Sequence, residues 1–350
     1  MNKLQEASAA LASEATINNA TIDTPDDLIC PASSIFDNTA VRAALVEAIG
    51  QSTDARDVRA ASVATLAMAQ KTGRLAIQAA FEADPFNARA TTRAYSYLTD
   101  QMVHEVLYVA TAKLHPLPNP TEGERISLIA VGGYGRGEMA PQSDVDLLFL
   151  TPYKITPWAE SVIESMLYIL WDLKLKVGHA SRTIKDCIRL AREDYTIRTS
   201  LVEYRFLAGD EALSKQLGRR LWSELFKSTA AEFIEAKLEE RAERHRKQGG
   251  QRYVVEPNVK EGKGGLRDLQ SLYWIGKYVN GVKQASELVD RKVFTAEEYA
   301  TFKKAEDFLW AVRCHLHLIT GRPSDQLTFD LQVEVAAKMG YEDGRGRRAV

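Results

Sequence analysis

VGGYGRGEMAPQSDVDLLFL, residues 131–150, sets a glycine-rich turn directly before a strand that opens with two acids. In Asp144-Val145-Asp146-Leu147-Leu148-Phe149 the strand period of two puts both carboxylates on one face, with Val145, Leu147 and Phe149 on the other. Like charges side by side cost free energy unless a cation neutralises them, because otherwise one must take up a proton. A divalent metal is the simplest explanation, and oxygen donors beside phosphate suit a hard ion, Mg²⁺ or in its place Mn²⁺. Upstream, the glycines of Gly132-Gly133-Tyr134-Gly135-Arg136-Gly137 let backbone N–H groups approach an anion closely, and Arg136 adds a fork of donors suited to phosphate. Ten residues separate Gly133 from Asp144, so the loop can return and hold a triphosphate beside the metal-binding face. A glycine turn or an Asp-x-Asp strand edge alone reads equally well as solvated surface; their combination at this spacing points to a metal–nucleotide site.

Other glycine-loop readings fail. The chain has no G-x-x-x-x-G-K-[ST], and a G-x-G-x-x-G breaks at Glu138, which removes the main support for P-loop, dehydrogenase and kinase assignments.

Working outward, Ile126–Val131 reads as a short buried strand, 132–141 as a loop and Asp144–Leu150 as a strand. Apolar spacing predicts a helix over 159–170, and 172–177 alternates as a further strand. The pattern divides the chain into a loosely ordered lead-in (1–40), a helical segment (41–125), a catalytic core (126–210) and a helical domain (211–350). The three prolines of HPLPNPTEGE mark the second boundary. The last segment is interrupted by the turn-rich run EPNVKEGKGGLRD, residues 256–268. There, Lys260, Lys263, Arg267 and Asp268 cluster among glycines where a helix opens near Leu266, a start that can hold an anion and equally a solvated basic turn.

At 350 residues the chain is long enough for two or three packed units. Hydrophobic residues are 45%, charged residues 26% and the net charge is -2, which excludes a disordered chain and gives no global field for nucleic acid. The N-terminus lacks the apolar run of a secretory signal and no window has the length of a membrane helix. Three scattered cysteines, Cys30, Cys187 and Cys314, fit a reducing cytoplasm and argue against a disulfide framework or zinc site. His315 and His317, two apart on a predicted helix, cannot share a metal and read as packing residues; His179 also reads as structural.

Gly132-Gly133, ten intervening residues and Asp144-Val145-Asp146 resemble the signature of the polymerase-β-like nucleotidyltransferase superfamily. With LWDLKLKVGHASRTI, EPNVKEGKGGLRDLQSLYWIGK and FLWAVRCHLHLITGR, the chain is similar from about residue 107 onward to the bacterial PII uridylyltransferase/uridylyl-removing enzymes. The resemblance implies an α+β fold, a small mixed sheet flanked by helical segments and a C-terminal helical domain. It implies transfer of UMP from UTP to a tyrosine of the PII protein by two-metal catalysis, without nucleic acid or membrane.

Such sites use a third carboxylate from a neighbouring strand. Asp172, sharing a strand face with Lys174 and Lys176, is the expected ligand beside Asp144 and Asp146, with Glu203 the runner-up although TSLVEYRFLAG reads as a helix. Gly132, Gly133, Arg136 and Ser143 are expected to contact the triphosphate, and Lys260 and Lys263 to close the nucleotide cleft. Many superfamily members have Gly-Ser where this chain has Gly132-Gly133, so backbone amides must replace a serine hydroxyl. A protein adenylyltransferase and a non-catalytic nucleotide sensor are the competing readings. Uridylyl removal is not expected, because the family places it in a His-Asp domain and none of the six histidines here precedes an Asp. The ending GRGRRAV reads as a cut within a longer protein.

Overall fold

The computed structural model describes residues 25–248, 254–282 and 285–344. Helix α1 (Asn38–Ile49) and the long α2 (Ala55–Ala83) start at the acceptors they need: Asp37 receives the Ala40 amide, and Asp54 those of Arg56 and Asp57. Val58, Ser62, Leu66, Gly73, Ile77 and Phe81 form the buried stripe of α2, which packs on α3 (Ala88–Tyr108). Helix α3 is buried almost all round and shares the main core with the sheet. Residues 1–24 of the expected lead-in lie outside the described residues, but its remainder is not loose, since Ile35 and Phe36 are buried in the main core.

A four-stranded sheet follows, with spatial order β3-β2-β1-β4. Strand β1 (Ser127–Ala130) pairs antiparallel with β2 (Val145–Thr151), and β2 pairs in parallel with β3 (Val177–Thr183) after a crossover through α4 (Pro157–Asp172). The α+β fold with a small mixed sheet is therefore present. Strand β2 is buried on both faces. Val145, Leu147 and Phe149 join the core with α3 and α4, while Leu148 and Leu150 meet α5 (Ile184–Glu193), α6 (Tyr195–Val202) and α7 (Glu211–Glu224). Because α7 covers the sheet, the sheet's packing extends past residue 210.

Two readings of local pattern are corrected. Residues 172–177 are not a strand: Asp172 ends α4, Lys174 turns left-handed at φ 61°, and Leu175 N–H bonds back to Leu170 O. The alternating leucines are those of a helix C-terminus folding back on the core. Conversely, TSLVEYRFLAG is only half helical. After α6 it becomes β4 (Arg205–Gly209), whose register with Ser127–Ala130 makes it the second antiparallel neighbour of β1.

The remaining helices are α8 (Ala230–Lys247), α9 (Leu266–Asn280), α10 (Ala296–Thr320) and α11 (Phe329–Lys338). Val259, Leu266, Trp310, Cys314, Val335 and Met339 share one core with Phe81, Ala88 and Ala140, so the C-terminal helices are fastened to both α2–α3 and the glycine loop. The three cysteines are free thiols. Among the described residues no helix is long and apolar enough to cross a membrane.

Candidate active site

Residues 132–135 fold into one helical turn, entered from β1 through Val131, whose N–H bonds Asp146 O at 3.1 Å. Gly132 enters at φ +60°, a conformation that favours glycine, and its Cα lies so close to Asp146 that a Cβ would stand 3.4 Å from Oδ2. On the other side, Asp146 pairs with Gly178 of β3, where a Cβ would come within 2.4 Å of Oδ1. The carboxylate of Asp146 thus occupies a slot between two residues without side chains. Asp144 stands exposed just before β2.

Burial raises the pKa of Asp146, the charge of Asp144 raises it further, and Lys260 partly offsets both. Among the described residues neither acid has a salt-bridge partner within 4.0 Å, and the more distant charge of Lys260 is what relieves Asp146. Two oxygen donors, one half-buried and repelled by the other, fit a divalent hard cation.

The amides of Gly132, Gly133 and Tyr134 begin the helical turn and have no intrahelical acceptor, as the sequence reading requires. Arg136 differs from expectation. Its Nε donates to Glu138 Oε2 at 2.8 Å and its Nη1 to Glu203 Oε2 at 2.9 Å, and the side chain is only 7% exposed. Burial works against its charge, but the two carboxylates outweigh burial and hold its pKa above the ordinary arginine range. Arg136 therefore braces the turn rather than presenting a free fork to phosphate. Glu203, the alternative third acid, is committed to Arg136 and to Lys277 at 3.3 Å. Ser143 also serves the loop: its Oγ accepts the Ala140 amide at 2.9 Å.

Lys260 is brought to the site by the 256–265 loop, close enough to Asp146 to lower its pKa. Lys263 is exposed on the same loop. The start of α9 is occupied by its own residues, because Asp268 accepts from Gly264 N–H and from Arg244, and Arg267 pairs with Glu261. Asp172 is not brought to the pair. It lies at the end of α4, where Arg59 holds it through Nε at 2.8 Å and Nη2 at 2.7 Å. Among the described residues no three Asp, Glu, His or Cys side chains gather into a metal site, so the pair assembles without the expected third acid.

A depression of about 300 Å³ opens onto Asp146, walled by Gly132, Gly178, Arg182, Thr196 and Ser200. A larger cleft of about 920 Å³ borders Arg136, Glu138, Tyr273 and Lys277 but contains neither carboxylate. Of the two, only the smaller borders a member of the carboxylate pair. Sequence reasoning missed Gly178, although a glycine inside a strand signals close approach.

Comparison with known proteins gives the family. A family model described as a nucleotidyltransferase domain matches residues 120–204, and one described as GlnD PII-uridylyltransferase matches 232–350. The chain is 66% identical over 90% of its length to a bifunctional uridylyltransferase/uridylyl-removing enzyme of Ruegeria pomeroyi, covering 35% of that protein. It is 62% identical over 92% of its length to the Cereibacter sphaeroides protein of the same description, again covering 35% of it. A Rhodospirillum rubrum protein so described is 48% identical over 91% of the chain, which covers 34% of that relative.

Proposed function

The chain belongs to the family of bifunctional uridylyltransferase/uridylyl-removing enzymes, spanning about a third of their length, and we propose that it carries their nucleotidyl-transfer centre. The reaction is transfer of UMP from UTP to a tyrosine hydroxyl of the PII regulatory protein in the cytoplasm. The carboxylate pair Asp144/Asp146, set against a glycine turn within the nucleotidyltransferase match, is the observation that carries this reading.

Asp144 and Asp146 are the residues to hold Mg²⁺ or Mn²⁺. When bound, such an ion neutralises charge at the α-phosphate and makes a tyrosine hydroxyl, with a pKa near 10 when free, a better nucleophile. The chain's own groups then align the reaction. Amides of Gly132 and Gly133 orient the phosphates, and Lys260 adds positive charge beside the pair. The Gly132–Gly178 slot fixes Asp146, while Ser143 and Arg136 keep the loop in shape. The acceptor oxygen forms a bond to the α-phosphorus as the α–β bridging P–O bond breaks. Pyrophosphate departs, and the hydroxyl proton leaves on the water-exposed side of Asp144.

The test supplies purified chain with PII, Mg²⁺ and each labelled triphosphate in turn. Uridylylation that disappears in Asp144→Asn is expected. Labelling by ATP instead would establish an adenylyltransferase, and tight UTP binding without turnover would establish a sensor. Removal of UMP is not placed on these residues, because none of the six histidines precedes an Asp. Rapid UMP release from uridylylated PII by this chain would overturn that assignment.

A further inference from the structure

Asp325 lies in the segment between α10 and α11, far in sequence from the carboxylate pair, yet two connections from that pair converge on it. Its Oδ1 accepts from Arg313 Nε at 2.7 Å and faces His317 Nε2 at 3.4 Å; its Oδ2 lies 3.9 Å from Lys260 Nζ. Its backbone carbonyl accepts the Val259 amide at 2.8 Å, and neighbouring Gln326 bridges to Asn258. The loop bearing Lys260 is therefore anchored to Asp325 through main chain and side chain. His317 carries the second connection. It is fully buried, and its Nδ1 accepts the N–H of Gln142 at 3.2 Å, two residues before Asp144. An acceptor at Nδ1 in neutral imidazole requires the hydrogen on Nε2, directed toward Asp325.

We infer that Asp325 is a positioning residue that aligns the two walls of the nucleotide cleft, setting Lys260 beside Asp146 directly and the Gln142–Asp144 turn through His317. The inference rests on the transferase reading for its consequence and on these hydrogen bonds and ion pairs for its geometry. Without the Asp325 charge, Lys260 loses its nearest carboxylate anchor apart from Glu261, at 4.0 Å, while Arg313 and Arg267 repel it. Lys260 is then held less firmly over the site, by Glu261 and by the main-chain links of its loop. Carboxylates that orient a primary contact in this way typically account for about 10- to 100-fold in affinity or activity.

The experiment measures UTP binding with Mg²⁺ and steady-state transfer for the unaltered chain, Asp325→Asn, Lys260→Ala and the double variant. Asparagine keeps the shape and an acceptor oxygen for Arg313, which limits loss of fold; thermal melting monitors it. Asp325→Asn is expected to raise the KM for UTP roughly tenfold with a smaller change in kcat. Because part of the effect of Asp325 passes through Lys260, the loss of UTP affinity in the double variant should be smaller than the product of the two single losses. Additive losses, or unchanged UTP affinity in Asp325→Asn, would overturn the inference. A second readout needs no activity: the Gln142 amide, protected by His317, should exchange its hydrogen at least about tenfold faster in Asp325→Asn. Unchanged exchange there would refute the alignment of the second wall. If the unaltered chain binds no UTP, the transferase reading fails; the amide exchange still judges the geometry separately.

Discussion

A methyl group at position 178 would come within 2.4 Å of Asp146 Oδ1, well inside contact distance, so with any residue but glycine there the Asp146 carboxylate must shift. Gly178→Ala should push the Asp146 carboxylate out of its slot and reduce transfer by at least about a hundredfold, in line with the sensitivity of rates to small misplacements. Its cost to melting temperature should be modest, because β3 is an edge strand; retained turnover would show that the slot does not fix the acid. Asp144→Asn and Asp146→Asn should each abolish detectable transfer, whereas Asp172→Asn, removing only a surface pair with Arg59, should leave turnover within about threefold and stability within about 1 kcal/mol. Loss of transfer in Asp172→Asn would restore it as a ligand. The carboxylate pair was legible because a strand period and a ten-residue loop are local properties. Gly178 was not, since its place beside Asp146 depends on the register reached after α4 crosses over.

At the scale of elements, the glycine turn is braced from outside by Glu203, just before β4, and by Lys277 of α9. A local reading gave Arg136 to phosphate because Glu203, the more buried of its two partners, lies 67 residues away, beyond any sequence window. Arg136→Ala leaves Glu203 buried with one cation fewer and should reduce unfolding stability by about 3 kcal/mol in urea titration. Any loss of UTP affinity should accompany that loss of stability, because Arg136 acts through the shape of the turn; a selective tenfold loss of affinity with normal stability would return Arg136 to the phosphate. The same turn meets α10. Burial and the nearby charge of Glu138 push the Glu306 carboxyl up to about 8, with Asp307 adding repulsion and Arg136 and Arg89 opposing it. Because the folded state holds this proton more tightly, stability should fall as pH rises from the ordinary glutamate range toward 8, then level off. Melting at pH 5.5 and 8.5 should show a larger decline in the unaltered chain than in Glu306→Gln; equal declines would place the titration elsewhere. Helix ends and β4 escaped the sequence for a related reason. Leu173, Leu175 and Val177 satisfy a period of two while the backbone turns left-handed at Lys174, and Phe206–Leu207–Ala208 is too short a run to declare a strand.

Across the whole molecule, apolar spacing made the succession of helices, strands and helices legible and the family resemblance implied the mixed sheet, but neither showed how the last helices attach. They close the core that contains Phe81 and Ala88 from the first helices and Ala140 from the catalytic loop, so removing them would expose the loop as well as their own faces. Chains of this length usually divide into separately folding units. Here the fully buried Phe81 and His317, the latter bonded to Gln142, tie the units together. The core amides of α10 should therefore exchange hydrogen through the same global opening as those of β2, with protection within about tenfold and equal dependence on denaturant. Mass-resolved exchange of the two segments at increasing urea tests this. If α10 opens more than about a hundredfold more readily while β2 stays protected, the C-terminal helices form an independent unit. The Lys260 wall could then swing without unfolding the sheet. Matched exchange would mean that the cleft is built only when both halves of the chain are folded together, so a mutation in the α10–α3 contact should lower nucleotide binding and global stability in proportion.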